Sequence, residues 1–116
     1  MELTRKQAAE CCAAVLDEKF FKAFSEPART AAFREVVLLG RADVGTIAER
    51  LPQDRSVISR HLQVLAEAGV LRPTKDGRRV FYEVNAEEIE RQLMQVLAIT
   101  RQLRACASQP DQEIER

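Results

Sequence analysis

Residues 54–71 read DRSVISRHLQVLAEAGVL, and residues 72–84 continue RPTKDGRRVFYEV. The first stretch has helical spacing, with Ile58, Leu62, Leu65 and Ala66 on one apolar stripe. Asp54 suits the N-cap and Gly69 the C-terminal stop, so a helix is predicted over 55–68. Its other face is polar: Arg55, Ser56, Val57, Ser59, Arg60 and Gln63 point outward, mostly near the N-terminus. The second stretch holds two extended runs around Asp76-Gly77, a pair that favours a tight hairpin. Pro73 cannot donate a ladder hydrogen bond, which assigns its strand to a sheet edge.

Upstream, Pro52 ends a short helix over about 44–51, which Asp43 can cap and which carries Ile47 and Leu51. Ser25-Glu26-Pro27 is a helix restart, with Ser25 as cap and Pro27 in the first turn. That helix runs to Leu39 and stops at Gly40. Phe20, Phe21 and Phe24 mark a short helix over 17–24, and an Ala-rich helix is predicted over 5–16, with Ala8, Cys12, Val15 and Leu16 on one side. Downstream, Asn85-Ala86-Glu87-Glu88 has the form of a capping box. It opens a long helix over 86–106 with Ile89, Leu93, Val96, Leu97, Thr100 and Leu103 on one face.

This order gives a mainly α fold with a small β-hairpin wing, a winged helix-turn-helix over residues 1–106, and a flexible polar tail over 107–116. The chain has 116 residues, enough for one domain. Only 5% of them are aromatic, so the core must rest on aliphatic side chains, as packed helices allow.

The net charge is zero, but it is unevenly placed. Residues 55–79 carry Arg55, Arg60, Arg72, Lys75, Arg78 and Arg79 against Glu67 and Asp76, a local +4 offset by −4 elsewhere. Attraction to nucleic-acid phosphates needs only such a local face. In a helix-turn-helix the N-terminal part of the second helix meets base edges. There Arg can pair with guanine and Gln with adenine, while Ser allows close approach. Lys75, Arg78 and Arg79 at the hairpin are placed for phosphate contact. The expected partner is double-stranded operator DNA.

The stretch from Asp54 to Leu71, together with Asp76 to Tyr82 and the upstream residues Phe21 to Arg29, resembles the ArsR/SmtB family of metalloregulators over about residues 17–100. The resemblance implies a homodimeric repressor that an inducer releases from its operator. It also implies that the first and last helices, about 5–16 and 86–106, form the dimer interface. His61, the one histidine, falls where the family carries His in its recognition helix, which points to packing or phosphate contact.

The family's usual sensing residues are missing. No Cys stands near Asp43-Val44-Gly45, where the arsenic-type motif falls, and residues 86–106 hold no His for a zinc-type site. What remains is Cys11, Cys12 and Cys106. Three thiolates without imidazole or carboxylate suit a soft, thiophilic species, and As(III) or Sb(III) accepts three sulfurs. A thiol redox switch bridging Cys106 to Cys11 or Cys12 stands beside it, as does a plain packing role. No cofactor is expected for folding.

Other classes fare worse. There is no Gly-rich phosphate loop and no second His, and Glu87, Glu88 and Glu90 read as a helix start, so no enzyme is expected. A winged helix that only docks proteins is the alternative, and salt-sensitive retention on DNA separates the two. No apolar run is long enough for a bilayer span and the N-terminus lacks a signal-peptide core, so a cytoplasmic protein free of membranes is expected. An odd number of cysteines agrees with the absence of structural disulfides.

Overall fold

The computed structural model describes residues 3–107. Six helices and three strands follow in the order α1 (Arg5–Leu16), α2 (Lys19–Ala23), α3 (Pro27–Leu39), β1 (Arg41–Asp43), α4 (Val44–Ala48), α5 (Arg55–Glu67), β2 (Leu71–Asp76), β3 (Arg79–Val84) and α6 (Ala86–Ala107). The chain divides into two compact units, Lys19–Ile89 and a helical unit built from residues before Lys19 and from Glu90 onward. The fold is mainly α with a β-hairpin wing. The tail beyond Ala107 lies outside the described residues.

In the 19–89 unit, α5 buries Ile58, Leu62 and Leu65 completely, the stripe its spacing foretells, while Ala66 is half-buried. They join Phe20, Ala23, Ala32, Val36, Ile47, Val70, Leu71 and Tyr82 in one core. Phe24 meets Phe20 and Phe33 edge-on, at 5.7 and 5.2 Å between ring centres. Phe20, Phe21, Phe24 and Phe33 are thus gathered where α2 packs, and quadrupole-matched edge contacts suit them.

Several caps differ from expectation. Ser25 does not cap α3: its hydroxyl donates back to Lys22 O at 2.7 Å, and Glu26 takes the cap position without a side-chain bond. Asp54 holds the cap position of α5, again with no side-chain bond. The Asn85 box is half made. Glu88 N–H donates to Asn85 Oδ1 at 3.4 Å, but Asn85 N–H is given to Val70 O at 2.9 Å. A tertiary partner has displaced the local one. By contrast Thr4 and Gln7 form a complete reciprocal box at the start of α1.

Helix α5 closes as a Schellman motif, with Val70 N–H to Leu65 O at 3.1 Å and Gly69 N–H to Ala66 O at 3.0 Å. Gly69 has φ +84°, and a Cβ there would lie 2.9 Å from Glu88 Cγ. Both conformation and space therefore require glycine.

The sheet has the order β1-β3-β2, all antiparallel. Pro73 is on the edge strand β2. Strand β1 was not anticipated: three residues are too few for a periodic signal, and pairing Arg41–Asp43 with Phe81–Glu83 is a long-range event. The hairpin turn sits one residue later than expected. Asp76 pairs with Arg79, leaving Gly77, with φ +64°, and Arg78 as the loop. Glycine at the first loop position meets the positive φ of a two-residue hairpin turn.

In the helical unit, the start of α1 is laced to the last turn of α6. Leu3 N–H donates to Gln102 Oε1 at 3.1 Å, and Arg5 Nε and Nη2 donate to Cys106 O at 3.3 and 3.2 Å. A cation on the final carbonyls of a helix opposes its negative end. Among the described residues no helix is long and apolar enough to cross a membrane.

Candidate DNA interface and cysteine positions

Helix α4, the break over residues 49–54 and helix α5 form the helix-turn-helix. Two groups fix its frame. Glu35 of α3 is buried, and its carboxylate accepts from Arg50 Nε at 2.6 Å, beside the end of α4. Asp43 caps α4 by accepting from Thr46 N–H at 3.1 Å and from the Thr46 hydroxyl. Its second oxygen accepts from Arg79 Nε and Nη2 at 2.9 and 2.6 Å. These bonds, those from Thr46 first, lower the Asp43 carboxyl from its ordinary 3.8 to about 2.

With that frame in place, α5 presents Arg55, Ser56, Val57, Arg60 and Gln63 to solvent, with Ser59 half-buried beside them. Val57 is 41% exposed. An apolar surface here suits a thymine methyl. Lys75 and Arg78 are exposed at the hairpin tip. Among the described residues Arg55, Arg60, Lys75 and Arg78 make no ion pair with protein.

Arg79 and His61 are placed differently. Arg79 is held by Asp43, and its guanidinium carbon lies 5.0 Å from the centre of the Phe81 ring. His61 is 7% exposed, and its Nδ1 accepts from Arg29 Nε at 3.4 Å. Of the two roles the sequence left for His61, this is a packing environment. Arg29 also reaches Lys22 O and Glu26, so the histidine joins the recognition helix to the α2–α3 corner. Sequence reasoning missed the Asp43–Arg79, Glu35–Arg50 and Arg29–His61 pairs. Partners separated by 15 to 36 positions leave no local pattern to find.

The cysteines lie in the helical unit. Cys106 is buried, and its thiol donates to Leu3 O at 3.2 Å. Cys12 is half-buried and lines a small apolar cleft with Val15, Leu16, Val96, Ile99, Thr100 and Leu103. Cys11 is also half-buried. Arg5 is level with Cys106, and Cys11 and Cys12 follow it by six and seven residues, roughly 10 Å of helical rise. A disulfide needs Cα atoms within about 7 Å, so Cys106 is out of reach of either within one chain. Nor do three His, Cys, Asp or Glu side chains gather into a metal-holding group among the described residues.

No protein-family model matches the chain. Solved structures do. A possible transcriptional regulator for arsenical resistance is 30% identical at a TM-score of 0.59, over 80% of this chain and 98% of that one. The chain belongs to the ArsR family of transcriptional regulators. An ArsR-like transcriptional regulator from Rhodococcus sp. RHA1 is 28% identical at a TM-score of 0.64, over 80% of this chain and 86% of that one. An HTH-type transcriptional regulator of Methanocaldococcus jannaschii is 29% identical over 72 residues, 62% of this chain and 81% of that protein. As an ArsR-family member the protein is a DNA-binding transcriptional regulator and not an enzyme. Its β2–β3 hairpin is the wing of the winged helix-turn-helix, and α5 is the helix that leads into it.

Proposed function

We propose that this ArsR-family regulator is a cytoplasmic repressor that binds operator DNA as a homodimer and is released by a thiophilic inducer. One observation carries the DNA geometry. Arg55, Arg60, Lys75 and Arg78, exposed and in no ion pair among the described residues, are grouped on α5 and the wing tip. On this reading Arg55, Arg60, Gln63, Ser56, Ser59 and Val57 enter the major groove, and Lys75 and Arg78 take phosphates on its flank. His61 supports α5 from behind.

The inducer is As(III) or Sb(III), bound through Cys11, Cys12 and Cys106. Support comes from the all-sulfur donor set and from the likeness to a possible regulator for arsenical resistance. Because the thiols do not meet within one chain, the set is completed across the dimer, with Cys11 and Cys12 from one subunit and Cys106 from the other. The inducer acts by binding more tightly to a dimer whose recognition helices no longer match successive grooves; only such a difference in affinity can shift the population.

Fluorescence anisotropy of the reduced protein on a labelled duplex from its own promoter tests both parts. Salt-sensitive binding with release at near-stoichiometric arsenite is the expected result. Cys11→Ser should bind DNA normally and ignore arsenite. Normal release in that variant removes the cysteine site, and absence of specific DNA binding removes the repressor.

A further inference from the structure

Arg79 sits among the wing cations in sequence but does something else in space. The three-stranded part of the sheet ends where Asp43 pairs with Phe81. Beyond that point, Thr74–Asp76 and Arg79–Val80 continue as a two-stranded ribbon carrying the Gly77-Arg78 tip. A lone two-stranded ribbon is marginally ordered in water. Among the described residues its one side-chain polar tie to the body is the Arg79 guanidinium, which reaches back from two residues beyond Phe81 to Asp43.

The geometry of this tie is well specified. Arg79, Phe81 and Asp43 lie on the same face of the sheet, since side chains alternate and Asp43 is opposite Phe81. Phe81 gives the guanidinium a surface to rest on, and Arg41 of β1 also stacks on that ring at 4.1 Å. Asp43 spends one oxygen on Thr46 in the first turn of α4 and the other on Arg79. A single carboxylate is therefore shared between the helix preceding the recognition helix and the base of the ribbon.

We propose that Arg79 is a positioning residue, engaged by Asp43 and not by DNA, and that the Asp43–Arg79 strut fixes the angle at which the wing offers Lys75 and Arg78 to phosphate. The proposal rests on the reading that α5 and the wing bind DNA. It makes an unusual demand. Asp43 is a negative charge beside a surface that meets phosphates, so plain electrostatics has its removal tighten binding. The strut has its removal weaken binding.

The test measures affinity for a labelled promoter duplex against salt concentration, for the wild type and for Asp43→Asn, Arg79→Ala, the double variant and Arg78→Ala. Asparagine can still cap α4, so Asp43→Asn removes the strut with the helix start kept; thermal melts confirm folding in each case. Expected are losses of roughly tenfold for Asp43→Asn and Arg79→Ala, the scale of one charge-assisted hydrogen bond. The double variant should lose no more than either single one. The slope of log affinity on log salt should stay at the wild-type value for Arg79→Ala and flatten by roughly 0.9 for Arg78→Ala, one phosphate contact fewer. A flattened slope in Arg79→Ala, or tighter binding by Asp43→Asn, overturns the strut while leaving the DNA reading intact. A wild type that does not bind the duplex overturns both.

Discussion

The two units of this regulator bury apolar surface very differently. In the 19–89 unit, Val36, Ile47, Ile58, Leu62, Leu65 and Val70 are fully enclosed within one chain. In the helical unit, Leu16 and Met94 are 55% and 58% exposed, with Leu93, Leu97 and Leu103 also open to solvent. There the small residue Ala8 and the thiol of Cys106 do the burying. The 19–89 unit encloses a core within one chain, though Val37 and Leu38 of α3 stay 53% and 58% exposed. The other presents a row of large aliphatic side chains, the kind of surface that marks an association site, as the proposed homodimer requires.

The contrast breaks most visibly in the core. Leu62→Ala should cost about 2–5 kcal/mol, because the lost side chain leaves a cavity among rigid neighbours. Denaturant unfolding should show the loss, and a change under about 1 kcal/mol means that the 19–89 core is looser than described. Aspartate at both Leu93 and Leu97 should leave that core intact and convert dimer to monomer in sedimentation, with weaker operator binding as a consequence. An unchanged sedimentation coefficient breaks the contrast from the other side, since these residues then cover nothing.

A smaller effect is expected at Asp43. Its carboxyl is held at about 2, below the ordinary 3.8, so the folded state favours the ionised form. The stabilisation is present above pH 4 and is lost as pH falls toward 2. Wild type should exceed Asp43→Asn by about 1–2 kcal/mol at neutral pH, discounted for the exposed Arg79 partner. Acid titrations of stability should show the gap closing between pH 4 and pH 2, and a gap independent of pH assigns the effect to something other than this ionisation.

Much of the recognition unit was legible because its signals are local. Ile58, Leu62 and Leu65 declare a buried stripe by spacing alone, Gly69 declares a helix stop, and Pro73 an edge strand. The elements that escaped depend on partners far along the chain. Strand β1 exists because Phe81–Glu83 stands beside it. Asn85 keeps only half of its box because Val70 O claims its N–H. The Arg79–Asp43 pair escaped too, since the sequence shows two adjacent arginines and not the carboxylate 36 positions away. In the helical unit the apolar stripe was visible, but spacing does not say whether the chain or another molecule covers it. Hence Leu93 and Leu97, which have the same periodicity as the buried positions, are open.

Gly69 has a consequence for how the molecule can be altered. The end of α5 turns into the wing at a residue with no side chain, with Glu88 Cγ 2.9 Å from where a methyl group would stand. The site works as a spacer gauge whose thickness is one missing carbon. Any replacement strains the positive-φ backbone and forces the Glu88 side chain to give way, and so alters the joint without touching a base, a phosphate or a thiol.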